Sequence, residues 1–339
     1  MKITLYLYKP LETLDHFSQL RSYMDQKVWF TRLDQFNDPF EAHFIYQNAR
    51  VEEILEYDYL FNRYCRELNY SSAELKMTLS SPGASEQLGK RKADSELFKN
   101  HGAICFTSDA SNIPMWAHYA SNHQGYCVVF EIDTDKIPEV TDEWMEKVES
   151  GDEILSFSLP MEDSDKHYMF TKVKYSSGNK KPVVEEKEHA FYLEKQDIEQ
   201  RGVESYDWNK YFAQHSFGVK YGMWSYEQEY RLVVNTNSAK AGLLDLRWLP
   251  FLKITGVIMG KNIGKNLSKD AKDFILNQQL SGYRFTSSDL DGRVKEYIAS
   301  MANQYGIKLY LAKCELKSEE YKITHDEYFI DIVDAITQT

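Results

Sequence analysis

Three stretches of this sequence carry the residue types from which a reactive cleft is built. The first is Tyr221 to Asn235, YGMWSYEQEYRLVVN. Read as extended chain, Glu227, Glu229 and Arg231 share one face, because side chains alternate along a strand. Two acids and a base at the mouth of the apolar run Leu232 to Val234 must pair with one another or meet a ligand, since lone charges are costly to bury. A structural Glu–Arg pair satisfies that demand. So does a carboxylate that binds a substrate hydroxyl or takes a proton.

The second stretch is Ala103 to Asp133, AICFTSDASNIPMWAHYASNHQGYCVVFEID. A short apolar run ending at Thr107 and Ser108 reads as a strand leaving its sheet. Asn112 and Pro114 mark a helix start, and Met115, Trp116 and Tyr119 then fall on one helical face. Asn122 to Gly125 is turn chemistry. Tyr126 to Ile132 is rich in β-branched and aromatic residues, as a central strand is. Trp116, His118, Tyr119 and His123 are thereby crowded at strand ends, where polar-tipped rings line pockets or simply cap a core. The third stretch is Arg32 to Glu41, RLDQFNDPFE. Asn37-Asp38-Pro39 is a turn with self-bonding side chains and a fixed φ. Phe36 and Phe40 pin it, and Asp38 and Glu41 bring two carboxylates together. It serves as a structural turn or as a ligand-facing loop.

The elements around these stretches are readable from periodicity. Ile3 to Lys9 alternates Leu5 and Leu7 with Thr4, Tyr6 and Tyr8, a strand with one apolar and one aromatic-polar face. Thr13 to Gln26 has Leu14, Phe17, Leu20 and Met24 at helical spacing. Val28 to Phe30 is a second strand. Val51 to Asn100 is helical in composition, with Ser80 to Ser85 as a connector. Acidic residues between Asp142 and Glu149 form a solvated face. Thr171 to Tyr175 alternates as a short strand, and Glu185 to Lys220 follows a helical pattern. Leu252 to Met259 is a strand stopped by Gly260, Leu267 to Gln279 a helix, and Ile307 to Ala312 a strand. Strands mixed with helices and long insertions give an α+β fold on one mixed, mostly antiparallel sheet. The whole of 1–339 is read as one domain, with helical insertions at about 51–100 and 139–220.

Composition narrows the function classes. The formal charge is −12, which argues against a broad nucleic-acid footprint. The 24 tyrosines supply buried surface with polar tips for clefts and interfaces. No run is long and apolar enough to span a membrane, and MKITLYLYKP shows no secretory pattern. Cys65, Cys105, Cys127 and Cys314 are scattered without metal-ligand spacing, so they read as reduced core thiols of a cytoplasmic protein, and no metal site is assigned. Gly260, Lys261 and Gly264 lack phosphate-loop spacing.

The motifs, in order, resemble a bacterial family known only as a domain of unknown function. They are Leu7-Tyr8-Lys9, Val28-Trp29-Phe30 with Phe36 to Glu41, Cys105 to Thr107 with Met115 to Gly125, Trp224 with Glu227 to Arg231, and Gly256 to Gly260. The resemblance runs to about Tyr321. The layout also resembles ADP-ribosyltransferases. That resemblance implies NAD as substrate and a transfer to a protein or nucleic-acid acceptor, in a bacterial toxin or anti-phage effector. Carried over, Tyr8 and Lys9 stand where the first strand contacts NAD. Thr107 and Ser108, with Trp116 and Tyr119, stand in the middle motif, and Glu227 or Glu229 is the late catalytic acid. Lys9 or Arg231 would hold phosphates or ribose, Tyr8, Trp116 or Tyr119 would wall the nicotinamide, and Asn37 and Asp38 would face the ligand. Two other readings stay open. One is a metal-dependent nucleic-acid hydrolase using Asp38, Glu41, Glu227 and Glu229 with magnesium. The other is a non-catalytic binding module with a tyrosine-rich interface.

Overall fold

The computed structural model describes residues 2–36, 45–84, 88, 101–137, 155–159, 166–176, 183–187, 217–235, 242–278, 285–316 and 321–328. The sequence expectations for Asn37 to Glu41, for the acidic stretch Asp142 to Glu149 and for most of the helical patterns 80–100 and 188–216 lie outside them.

In chain order the strands are β1 Lys2–Lys9, β2 Lys27–Arg32, β3 Ile45–Gln47, β4 His101–Thr107, β5 Tyr126–Asp133, β6 Leu155–Leu159, β7 Lys166–Lys172, β8 Lys174–Tyr175, β9 Val183–Glu185, β10 Val219–Lys220, β11 Glu229–Asn235, β12 Gly242–Asp245, β13 Leu252–Met259, β14 Lys308–Leu316 and β15 Tyr321–Glu327. The helices are α1 Leu14–Met24, α2 Val51–Glu56, α3 Asp58–Leu68, α4 Ser72–Leu79, α5 Ile113–His118, α6 Lys269–Asn277 and α7 Leu290–Tyr305. Among the described residues, eleven strands join in one sheet along β15-β14-β13-β5-β1-β4-β11-β7-β6, with β2 paired to β4 and to β12. Its pairs are antiparallel except β13 with β14. The chain is thus α+β on a mixed, mostly antiparallel sheet. No helix among the described residues is long and apolar enough to cross a membrane.

The alternation of β1 divides two cores. Leu5 and Leu7 enter a large cluster with Phe17 and Leu20 of α1, Ile275 of α6 and Val294 and Ile298 of α7. Tyr8 enters a second cluster with Trp116, Ala120, Cys127 and Ile258 on the opposite face, with Tyr6 packed against it. β5 is buried along nearly its whole length, as its dense apolar sequence requires of a strand covered on both faces.

One irregularity of the sheet matters for function. β1 and β4 pair at Tyr6 and Thr107. Beyond that point they part, and β2 takes the same edge of β4 at Ala103 and Gly102. The sheet therefore forks, and a cleft opens between the end of β1 and the middle of β4. A turn fixes the β1 side of the fork. A Cβ on Gly125 would lie 2.1 Å from the Lys9 carbonyl oxygen, so only glycine lets this turn close on the end of β1.

Candidate functional site

The fork holds a cleft of about 220 Å³ whose walls include Tyr6, Tyr8 and Lys9 of β1, Cys105 of β4, Met115 and Tyr119 at α5, and Lys220, Glu227 and Glu229. This is below the roughly 300–1,000 Å³ of sites that enclose a whole drug-sized ligand. It suits one ring-sized group, with the rest of a larger molecule over the rim.

The floor is a buried ion cluster. Glu229 opens β11, and its carboxylate takes Arg231 Nε at 2.7 Å and Arg231 Nη2 at 3.2 Å. Arg231 Nη1 donates to the Phe217 carbonyl at 2.8 Å, which ties β11 to the segment leading into β10. Lys220, in β10, lies between the two acids, 2.7 Å from Glu227 Oε2 and 3.1 Å from Glu229 Oε2. Tyr119 Oη donates to Glu227 Oε1 at 2.5 Å. The Glu229 amide donates to Tyr175 Oη at 2.8 Å. Glu227, Glu229, Lys220 and Arg231 are all buried. Two carboxylates facing two cations leave the cluster formally neutral, which is what allows burial at this depth.

The two acids differ in proton affinity. Burial pushes both carboxyls up. At Glu229 the Arg231 and Lys220 cations outweigh it and hold the group down at about 2. At Glu227 burial wins: Lys220 and the Tyr119 hydroxyl pull its pKa down, the Glu229 charge pushes it further up, and the net shift is upward from the ordinary value. One acid is thus a fixed anion and its neighbour is closer to exchanging a proton.

Lys9 closes the β1 side. No side chain among the described residues forms an ion pair or hydrogen bond with its ammonium. Burial lowers its pKa. Cys105 faces it across the fork, and its thiol is pushed well up by burial and by the Glu229 charge.

Of the residues singled out in the sequence, Tyr8, Lys9, Tyr119, Glu227 and Glu229 meet in the cleft. Four expectations are corrected. Trp116 is fully buried, with its indole nitrogen donating to the Ala110 carbonyl at 2.8 Å and its ring meeting Tyr8 edge-on at 5.0 Å. It backs the cleft wall and offers no face to a ligand. Arg231 is fully buried in its bonds to Glu229 and Phe217, and so is no phosphate donor. Thr107 is fully buried, its hydroxyl accepting from the Asp109 amide. Glu227 is not on an extended face with Glu229. It ends a 3₁₀ segment, Gly222–Glu227, and Gln228 turns left-handed at φ 45° before the strand begins. Asn37 and Asp38 lie outside the described residues.

Lys220 and Tyr175 are members of the cluster that sequence reasoning missed. They reach it through the parallel pairing of β10 with β8, a long-range contact with no local signal. Cys105 proves to be a cleft wall and not a core thiol.

Compared with known proteins, the chain matches a family model described as Protein of unknown function (DUF2971) over residues 115–232, from α5 into β11. No curated protein and no solved structure matches the chain.

Proposed function

We propose that this chain is an ADP-ribosyltransferase-like enzyme that uses NAD as its substrate. The observation that supports this reading is convergence. The end of β1, the helix α5 and the turn into β11 are far apart in sequence, yet they bring a lysine with no partner among the described residues, two tyrosines and two glutamates of different proton affinity to one fork in the sheet.

The chemistry these groups support is transfer at a glycosidic carbon. The bond between the ribose C1′ and the nicotinamide nitrogen breaks, and its electron pair neutralises the departing ring. The ribose carries positive charge until an acceptor oxygen or nitrogen bonds to C1′ and gives up its proton. Glu229, anionic at every pH near neutrality, stabilises that charge in a dry site where fixed carboxylates act strongly. Glu227 takes the acceptor's proton, a role worth roughly 10²–10⁴-fold in rate. Tyr8 and Tyr119 wall the departing ring, and Lys9 takes a phosphate oxygen.

The ion cluster disfavours the metal-dependent reading. Both cleft glutamates already face cations, so a magnesium ion would have to displace Lys220. Thermal melting separates the two, since a ligand that binds only the folded state raises Tm. NAD is expected to raise it and magnesium to leave it unchanged. A magnesium-specific rise with no response to NAD would reverse the assignment.

A further inference from the structure

Glu227 is held on both sides by bonds that the transfer chemistry does not itself require. Asn112 precedes α5 and is buried. Its Oδ1 accepts from the Met115 amide at 3.1 Å, capping the helix. Its Nδ2 donates to the carbonyl of Tyr226, the residue before Glu227, at 2.5 Å. At the far end of the same helix, Tyr119 donates to Glu227 itself. On the other side of Glu227, Ser108 Oγ donates to Gln228 Oε1 at 3.1 Å. A closed ring of bonds thus runs from Asn112 through α5 to Tyr119, into the Glu227 carboxylate, and back through the Tyr226 carbonyl.

A helix cap needs only an acceptor, and Ser, Thr or Asp serves as well as Asn. The side-chain amide adds a donor that those three lack in this geometry. Here the donor is spent on the backbone of the turn that carries Glu227. That turn contains a left-handed non-glycine residue, Gln228, which local preference alone does not hold in place.

We infer that Asn112 is a positioning residue: its side-chain amide fixes the turn that aims Glu227 into the cleft, separately from its role as the cap of α5. The catalytic half of this inference rests on the proposed transferase reading, and the structural half does not.

Asn112→Asp separates the two roles. Aspartate keeps the acceptor that caps α5, loses the donor, and sets an oxygen against the Tyr226 carbonyl. Asn112→Ser replaces the amide donor by a shorter hydroxyl, already engaged in capping α5, without adding charge, and it serves as the second variant if the aspartate fails to fold. Amide hydrogen exchange is read over 222–228 and over 113–119, beside nicotinamide release from NAD. The expected result is faster exchange over 222–228 with protection of α5 retained. The expected kcat falls roughly 10- to 100-fold with KM for NAD within about twofold, as misplacement of a reacting group by about 1 Å would produce. Wild-type exchange over 222–228 in a folded variant would overturn the inference, and so would equal loss of protection in both segments. If the wild-type protein releases no nicotinamide, the transferase reading fails while the exchange data still decide the role of Asn112.

Discussion

Glu227 and Glu229 stand two residues apart and receive opposite treatment from their partners, so their substitutions should differ. Glu229→Gln strands Arg231 and Lys220 with too little negative charge. Breaking a buried pair in this way costs about 3–5 kcal/mol. Glu227→Gln leaves Lys220 paired with Glu229 and keeps an acceptor for Tyr119, so it should cost only about 1 kcal/mol. Urea melts of the two variants check the contrast. The pH dependence follows the same logic. Glu229 is depressed when folded, so its stabilisation is present above the ordinary carboxylate range and is lost as pH falls toward about 2. Glu227 is raised, so the folded state favours its protonated form, and its contribution is present below the ordinary carboxylate value and lost as pH rises from there through its raised one. Tyr119→Phe removes a bond that lowers the Glu227 pKa. The acid limb of the pH–rate profile should then move to higher pH, and an unmoved limb would mean that the limb is not Glu227.

At the scale of elements, the fork between β1, β4 and β2 creates the site. Gly125→Ala would press a methyl group into the Lys9 carbonyl. Overpacking of this kind costs about 1–3 kcal/mol, and here it would also displace Lys9. The expected result is a lowered Tm together with weaker binding of NAD, measured by calorimetry. Much of the scaffold was readable from local pattern. The alternation of β1 sorts its residues onto two cores, β13 ends at Gly260, and Asn112 caps α5, all as their residue types dictate. The fork itself was not readable, because it depends on which strands share the edge of β4. Lys220 follows the helical pattern of its neighbours, yet it lies in a two-residue strand fixed by β8. Glu227 reads as extended only until Gln228 reverses the backbone. Helix α7 carries its own signals, an Asp289 cap, a Gly306 stop and Val294, Tyr297, Ile298 and Met301 at helical spacing. It was nevertheless absent from the elements expected from the sequence.

At the scale of the molecule, the chain carries a formal charge of −12, while the cleft places a lysine beside a formally neutral ion cluster. Lys220 and Arg231 balance the carboxylates of Glu227 and Glu229, so Lys9 is, among the described residues, the cleft's one lysine outside that neutral cluster. Such a site admits a compact anion while the outer surface repels extended polyanions. Lys9→Gln should therefore weaken binding of ADP by roughly tenfold, the size of one charge-assisted bond. Unchanged ADP affinity would remove Lys9 from the site.

The most direct test of the central claim is nicotinamide release from NAD by the purified protein, wild type beside Glu227→Gln and Glu229→Gln, with cell lysate supplying acceptors. The account predicts release by the wild type that falls at least 100-fold in Glu227→Gln, a variant expected to keep its fold, and vanishes in Glu229→Gln. Absence of NAD turnover by the wild type, or full turnover by a folded Glu229→Gln protein, would contradict it.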